Sequence, residues 1–136
     1  MADLTDLATA RPTGQPNCHL ILPRGWGAGP AHRDSPVFPV EAPALARAVA
    51  ACLTATPRTE IVARAPDGLQ FEAIERSRLF RFVDHVSVRA IPQGAGRSAL
   101  ALFSRSRVGY WDLGVNRKRA ARLLAALESE LAATRA

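Results

Sequence analysis

A chain of 136 residues has room for one self-sufficient core, since folding at this size removes roughly two thirds of the unfolded surface from water, and 48% hydrophobic with 22% charged residues excludes disorder of the whole chain. The net charge of +6 is concentrated in one half: between Arg76 and Arg122, eleven basic residues stand against Asp84 and Asp112 alone. A surface of that sign favours anionic partners, whether an anionic small molecule, an acidic protein face, an acidic lipid surface or nucleic acid, and does not choose among them.

Residues 1–17 carry Pro12, Gly14 and Pro16 with little periodicity and are expected to form a flexible tail ahead of a single domain over 18–134. Cys18–Leu22 reads as a short strand or an extended lead-in. From Pro23 to Pro39 the density of proline and glycine excludes regular structure over most of the segment, and a loop of that length often covers a site. Pro43 to Ala55 reads as a helix, with proline near its first position and Leu45, Val49, Cys52 and Leu53 at helical spacing until Pro57 stops it.

Thr59–Ala65 and Leu69–Glu75, joined by Pro66-Asp67-Gly68, form the clearest hairpin, because Leu69, Phe71 and Ala73 alternate with polar residues. Ser77–Phe82 is ambiguous between strand and helical turn. His85–Ile91 alternates again, and Pro92-Gln93-Gly94-Ala95-Gly96 turns the chain into Arg97–Ser106. The last helix is expected from Val115 to Ala133, with Ala120, Leu123, Leu124, Leu127 and Leu131 on one face. The pattern predicts an α+β fold, a four- to five-stranded antiparallel meander with two helices packed on one of its faces.

Cys18 and Cys52 form no C-x-x-C arrangement, so they read as buried free thiols and signal no metal site. No run of about 18 apolar residues is present, and residues 1–17 lack a cationic start followed by an apolar core, so a cytoplasmic protein without a transmembrane segment is expected.

The stretches Arg78-Leu79-Phe80-Arg81-Phe82-Val83-Asp84-His85-Val86, Ser104-Arg105-Ser106-Arg107-Val108-Gly109-Tyr110 and Asp112-Leu113-Gly114-Val115-Asn116-Arg117-Lys118-Arg119, with Pro16-Asn17-Cys18 at the start, resemble the domain-of-unknown-function family 1499 over roughly residues 16–128. The resemblance implies no reaction, substrate or cofactor.

The physical clue lies in the junction between the last strand and the last helix. A helix N-terminus carries about half a positive charge and disfavours cations, yet Arg117, Lys118 and Arg119 stand there. Two resolutions are open. A bound anion would balance them, with Arg105, Arg107 and Arg117 as donors, Tyr110 as a hydrogen-bond partner, Asp112 as their orienter and Asn116 as a cap. Alternatively, Asp112 pairs internally with Arg117 or Arg105 and the remaining cations point into water. Strand parity places Phe103, Arg105 and Arg107 on one face and Leu100, Leu102 and Ser104 on the other. Arg78, Arg81 and Asp84 form a secondary polar network at the bend.

Catalytic signals are weak. His19, His32 and His85 do not make an H-x-x-x-H pair, and no nucleophile elbow, Walker loop or dinucleotide fingerprint is present. A general acid/base pair would have to come from Asp84, Asp112, His85 or Tyr110. The leading expectation is therefore a binding or accessory domain that takes an anionic group at the junction 104–119, without cofactor or metal. The alternative is an enzyme acting on an anionic small molecule with Gly25–Pro30 as a lid. A basic face for acidic membrane or nucleic acid is a third reading; Trp26, Tyr110 and Trp111 suit stacking on bases, but Phe71, Phe80, Phe82 and Phe103 are spaced as core.

Overall fold

A computed structural model of the chain describes residues 3–14, 17–76, 82–106 and 114–135. Among these residues seven strands and two helices follow in the order β1 (Cys18–Leu22), β2 (Arg33–Asp34), β3 (Val37–Phe38), α1 (Ala42–Ala55), β4 (Thr59–Arg64), β5 (Gln70–Arg76), β6 (Val83–Pro92), β7 (Ser98–Ser106) and α2 (Val115–Arg135). The sheet runs β2-β1-β7-β6-β5-β4, and β3 also pairs with β7.

The meander β4 to β7 is antiparallel throughout. The expected four or five antiparallel strands are corrected in two respects: there are seven, and β1 and β2 pair in parallel, Ile21 with Arg33 and Leu22 with Asp34. Both additions, β2 and β3, are two-residue pairings inside the proline- and glycine-rich segment. Strands so short show no alternation to read.

Alternation in the long strands sends Phe71, Ala73, Val86, Val88, Leu100 and Leu102 to one face. There they share a core with Leu45, Val49, Cys52 and Leu53 of α1 and Ala120, Leu123, Leu124, Leu127 and Leu131 of α2. Each leucine taken fully out of water contributes about 2 kcal/mol, so the two apolar stripes suffice to hold both helices on this face. Proline at the start of α1 costs little. At its end Thr56 leaves the helix in an extended conformation, as a residue before proline must, and its Oγ1 donates to the Cys52 carbonyl at 2.7 Å.

The opposite face is covered too. Leu20, Leu22, Ala101 and Phe103 pack under Leu7 and Ala10, with Trp26 and Ala31 at the margin. Residues 3–14, read from sequence as part of a loose tail, thus contribute a fully buried leucine, Leu7 at 2% exposure. One leucine and one alanine three positions apart carry no repeat from which that role could be inferred.

Candidate functional site at the start of helix α2

Of the three cations at the start of α2, Arg119 turns inward to carboxylates of the sheet. In the sheet Glu75 of β5 lies directly opposite Asp84 of β6, an arrangement in which like charges repel. Arg119, from the first turns of α2, reaches over both. Its Nη2 is 2.8 Å from Glu75 Oε2 and 2.7 Å from Asp84 Oδ2, with the Arg119 side chain only 10% exposed. Its Nη1 donates to Asn116 Oδ1 at 2.7 Å and to Ser104 Oγ at 3.1 Å. Asn116 is fully buried; Ser104 donates to its Oδ1 at 2.6 Å, and its Nδ2 donates to the Asn17 carbonyl at 3.0 Å and to Ser106 Oγ at 2.9 Å. Among these groups donors and acceptors match, which is what a buried polar network requires.

Arg117 and Lys118 turn the other way. With His19 of β1, His32, Arg33 of β2 and Ala121 they line a groove of about 430 Å³. Among the described residues its lining holds three cations and two imidazoles and no carboxylate. Among the described residues no carboxylate pairs with Arg33, Arg117 or Lys118. The imidazoles stack with centroids 5.0 Å apart and planes inclined by 22°. His32 is fixed by strand pairing: its main-chain N–H donates to the Leu20 carbonyl at 2.9 Å, and its ring Nδ1 accepts from the Leu20 amide at 2.9 Å. Nδ1 therefore carries no proton, and the neutral ring bears its hydrogen on Nε2.

Arg105 lies on the far face of the sheet. Its Nη1 donates to Ser87 Oγ at 3.2 Å and its Nη2 to Thr5 Oγ1 at 3.1 Å, while the guanidinium sits 4.6 Å from the centre of the Phe103 ring. Burial pushes its pKa down, opposed by the nearby Glu72 and Cys18. The Glu72 carboxylate is fully buried and accepts from Gln70, His85, Ser87 and Thr5. Burial alone would raise its pKa, but the bonds from His85, Ser87, Gln70 and the Thr5 amide outweigh it and hold the group at about 2.

A family model described as "Protein of unknown function (DUF1499)" matches residues 10–127. The chain belongs to this family. Within the DUF1499 match lie the whole sheet, α1, the groove, the cluster around Arg119 and, apart from Thr5, the cluster around Glu72. No curated protein and no solved structure matches the chain.

The residues singled out in the sequence part company in the structure. Arg117 lines the groove; Asn116 is buried beside Arg119; Arg105 is separated from both by the sheet. Arg107, Tyr110 and Asp112 lie outside the described residues, as do Arg78 and Arg81. Asp84, grouped from sequence with Arg78 and Arg81, is held by Arg119. For the described residues the predicted parity is observed, since Ser104 faces the helix and Phe103 and Arg105 face away. Sequence reasoning missed His19, His32 and Arg33 as groove residues. Their only signal was the count of histidines, and the parallel pairing that brings His32 beside β1 had no pattern of its own.

Among the described residues no group of three His, Cys, Asp or Glu side chains could hold a metal ion. No helix among them is long and apolar enough to cross a membrane.

Proposed function

We propose that this DUF1499 chain is a small binding domain that receives an anionic group in the groove between the first turns of α2 and the β1–β2 edge. The observation that carries this reading is the convergence of Arg33, Arg117 and Lys118 with two imidazoles on one concavity that, among the described residues, no carboxylate lines. Two of the cations stand in the first turn of a helix, where the backbone dipole adds to their field and an anion would relieve the repulsion. His32 supplies a neutral Nε2–H donor from a ring whose other nitrogen is occupied. Of the donors expected from sequence, Arg117 serves this groove and Arg105 does not.

The stacked pair His19 and His32 favours a second reading, in which the same groove acts on its anion through proton transfer at an imidazole. Thermal stability of wild type and Arg117→Ala, measured with phosphate, phosphorylated metabolites, anionic vesicles and oligonucleotides, separates these readings. Binding requires that at least one anion raise the melting temperature of wild type more than that of the variant, and equal shifts overturn it. Turnover of a phosphorylated metabolite, lost in His32→Gln with the fold retained, supports the enzyme reading.

A further inference from the structure

On the face of the sheet away from the helices, one residue of the N-terminal segment is held as a ligand would be. Thr5 donates its main-chain N–H to Glu72 Oε2 at 3.1 Å and its hydroxyl to Glu72 Oε1 at 3.1 Å. Its carbonyl accepts from Gln70 Nε2 at 2.7 Å, and its hydroxyl oxygen accepts from Arg105 Nη2 at 3.1 Å and lies 2.9 Å from Ser87 Oγ. Arg105 thus extends its fork to two hydroxyls, Ser87 and Thr5, and both hydroxyls reach the Glu72 carboxylate. A group in the Thr5 position must accept from a guanidinium and donate to a carboxylate at once. Among side chains of that size only serine and threonine do so.

The remaining grip is small. Leu7 and Ala10 enter the apolar patch formed by Leu20, Leu22, Ala101 and Phe103. Among the described residues a single main-chain to main-chain hydrogen bond, Ala28 N–H to the Ala8 carbonyl at 2.7 Å, ties residues 3–10 to the rest of the chain. Beneath Thr5 the floor is charged and hydroxylic, so lifting the segment exposes groups that water can solvate. A segment anchored by one buried leucine and one alanine, with no strand pairing among its described residues, opens at lower cost than the sheet under it.

We propose that this face is a peptide-binding cleft, in which Glu72, Ser87 and Arg105 read a threonine or serine hydroxyl and the patch around Leu20 and Phe103 takes a large aliphatic side chain two residues later. Residues 3–10 fill it in cis as an exchangeable strap. The partner it fits in trans is a segment of the same chemistry, a hydroxyl residue followed at the second position by leucine or a similar side chain, as in Thr5-Asp6-Leu7.

The probe is a labelled peptide of residues 1–11, titrated by fluorescence anisotropy against the full chain and its Leu7→Ser variant, whose strap has lost its apolar anchor. The variant should bind the peptide at least about tenfold more tightly than wild type, because the cis competitor is weakened. A peptide with Thr5→Ser should bind nearly as well, whereas Thr5→Val, or Arg105→Met in the chain, should lose about tenfold or more by leaving buried polar groups unpaired. No saturable binding to a folded Leu7→Ser chain, or equal binding of the valine peptide, overturns the proposal. Should Leu7→Ser lose its near-UV circular dichroism, hydrogen exchange in wild type decides. The Thr5 amide exchanging at least about tenfold faster than those of Ala73 and Val88 supports an exchangeable strap, and all three exchanging together at the global rate refutes it.

Discussion

The guanidinium of Arg119 lies 2.7 Å from the carboxylate of Asp84, and that contact joins the first turns of α2 to the middle of the sheet. Its physical origin is the register of β5 against β6, which sets Asp84 opposite Glu75, two mostly buried carboxylates that Arg119 bridges while Arg122 reaches Glu75 from the rim. Removing that cation strands Asp84 and leaves Glu75 with the half-exposed Arg122, 3.0 Å away, and the Thr59 hydroxyl at 3.2 Å. Arg119→Met is therefore expected to cost about 3–5 kcal/mol in urea unfolding. Adding Glu75→Gln to Arg119→Met should recover part of that loss, because one of the two facing charges is gone. If the double variant is no more stable than Arg119→Met, repulsion between Glu75 and Asp84 is not what Arg119 relieves.

Glu72 is expected to contribute to the loss of stability in acid. Its folded pKa of about 2 lies below the ordinary 4.5, so the folded state binds this proton less readily than the unfolded chain. The stabilisation is fully present above about pH 4.5 and is lost as the pH falls through about 2, with a total on the order of 3 kcal/mol by linkage. Urea midpoints of wild type and Glu72→Gln should therefore be well separated near neutrality and converge in acid. A separation that does not change between about pH 6 and pH 2 would remove Glu72 as the source of acid sensitivity.

How far the fold could be read depended on whether a residue's role followed from its own neighbours in sequence. Leu69, Phe71 and Ala73, or Leu123, Leu124 and Leu127, announce strand and helix through period alone. Parity likewise placed Ser104 and Arg105 on opposite faces. Arg119 is different: its partners Glu75 and Asp84 belong to strands 44 and 35 residues earlier, and only their register selects them. Three adjacent cations at a helix start looked like one problem with one answer. In the folded chain Arg119 turns inward to carboxylates while Arg117 and Lys118 turn outward to a groove. Thr5 and Glu72, 67 residues apart, were beyond any local pattern for the same reason.

The β4–β5 turn isolates a backbone effect from a packing effect. Gly68 has φ +77°, and a Cβ built there meets nothing within 4 Å. Gly68→Ala should therefore cost about 1 kcal/mol, from the left-handed backbone alone. Asn at this position should cost less, because asparagine tolerates that conformation. The preceding Asp67 accepts from the Leu69 amide at 2.9 Å and from Arg89 at 2.6 Å, which keeps the turn in place for this comparison. Equal melting temperatures for wild type and Gly68→Ala would show that the turn relaxes.

In the basic groove the expected sign of a mutation reverses with the solvent. Arg117 stands in the first turn of α2 beside Lys118 and across from Arg33, so without an anion its charge is opposed by the helix dipole and by both neighbours. At low ionic strength Arg117→Gln should raise stability by a few tenths of a kcal/mol to about 1 kcal/mol. Sulfate, a dianion, should raise the melting temperature of wild type and do so less in the variant, so that the order of stabilities inverts as sulfate is added while chloride at equal ionic strength only narrows the gap. Arg47→Gln, on the exposed side of α1, controls for net charge. If Arg47→Gln and Arg117→Gln respond alike to sulfate, the effect belongs to the charge of the whole molecule and the groove is not an anion site. Inversion in Arg117→Gln alone ties the anion to the start of α2, where Arg117 faces outward and Arg119 does not.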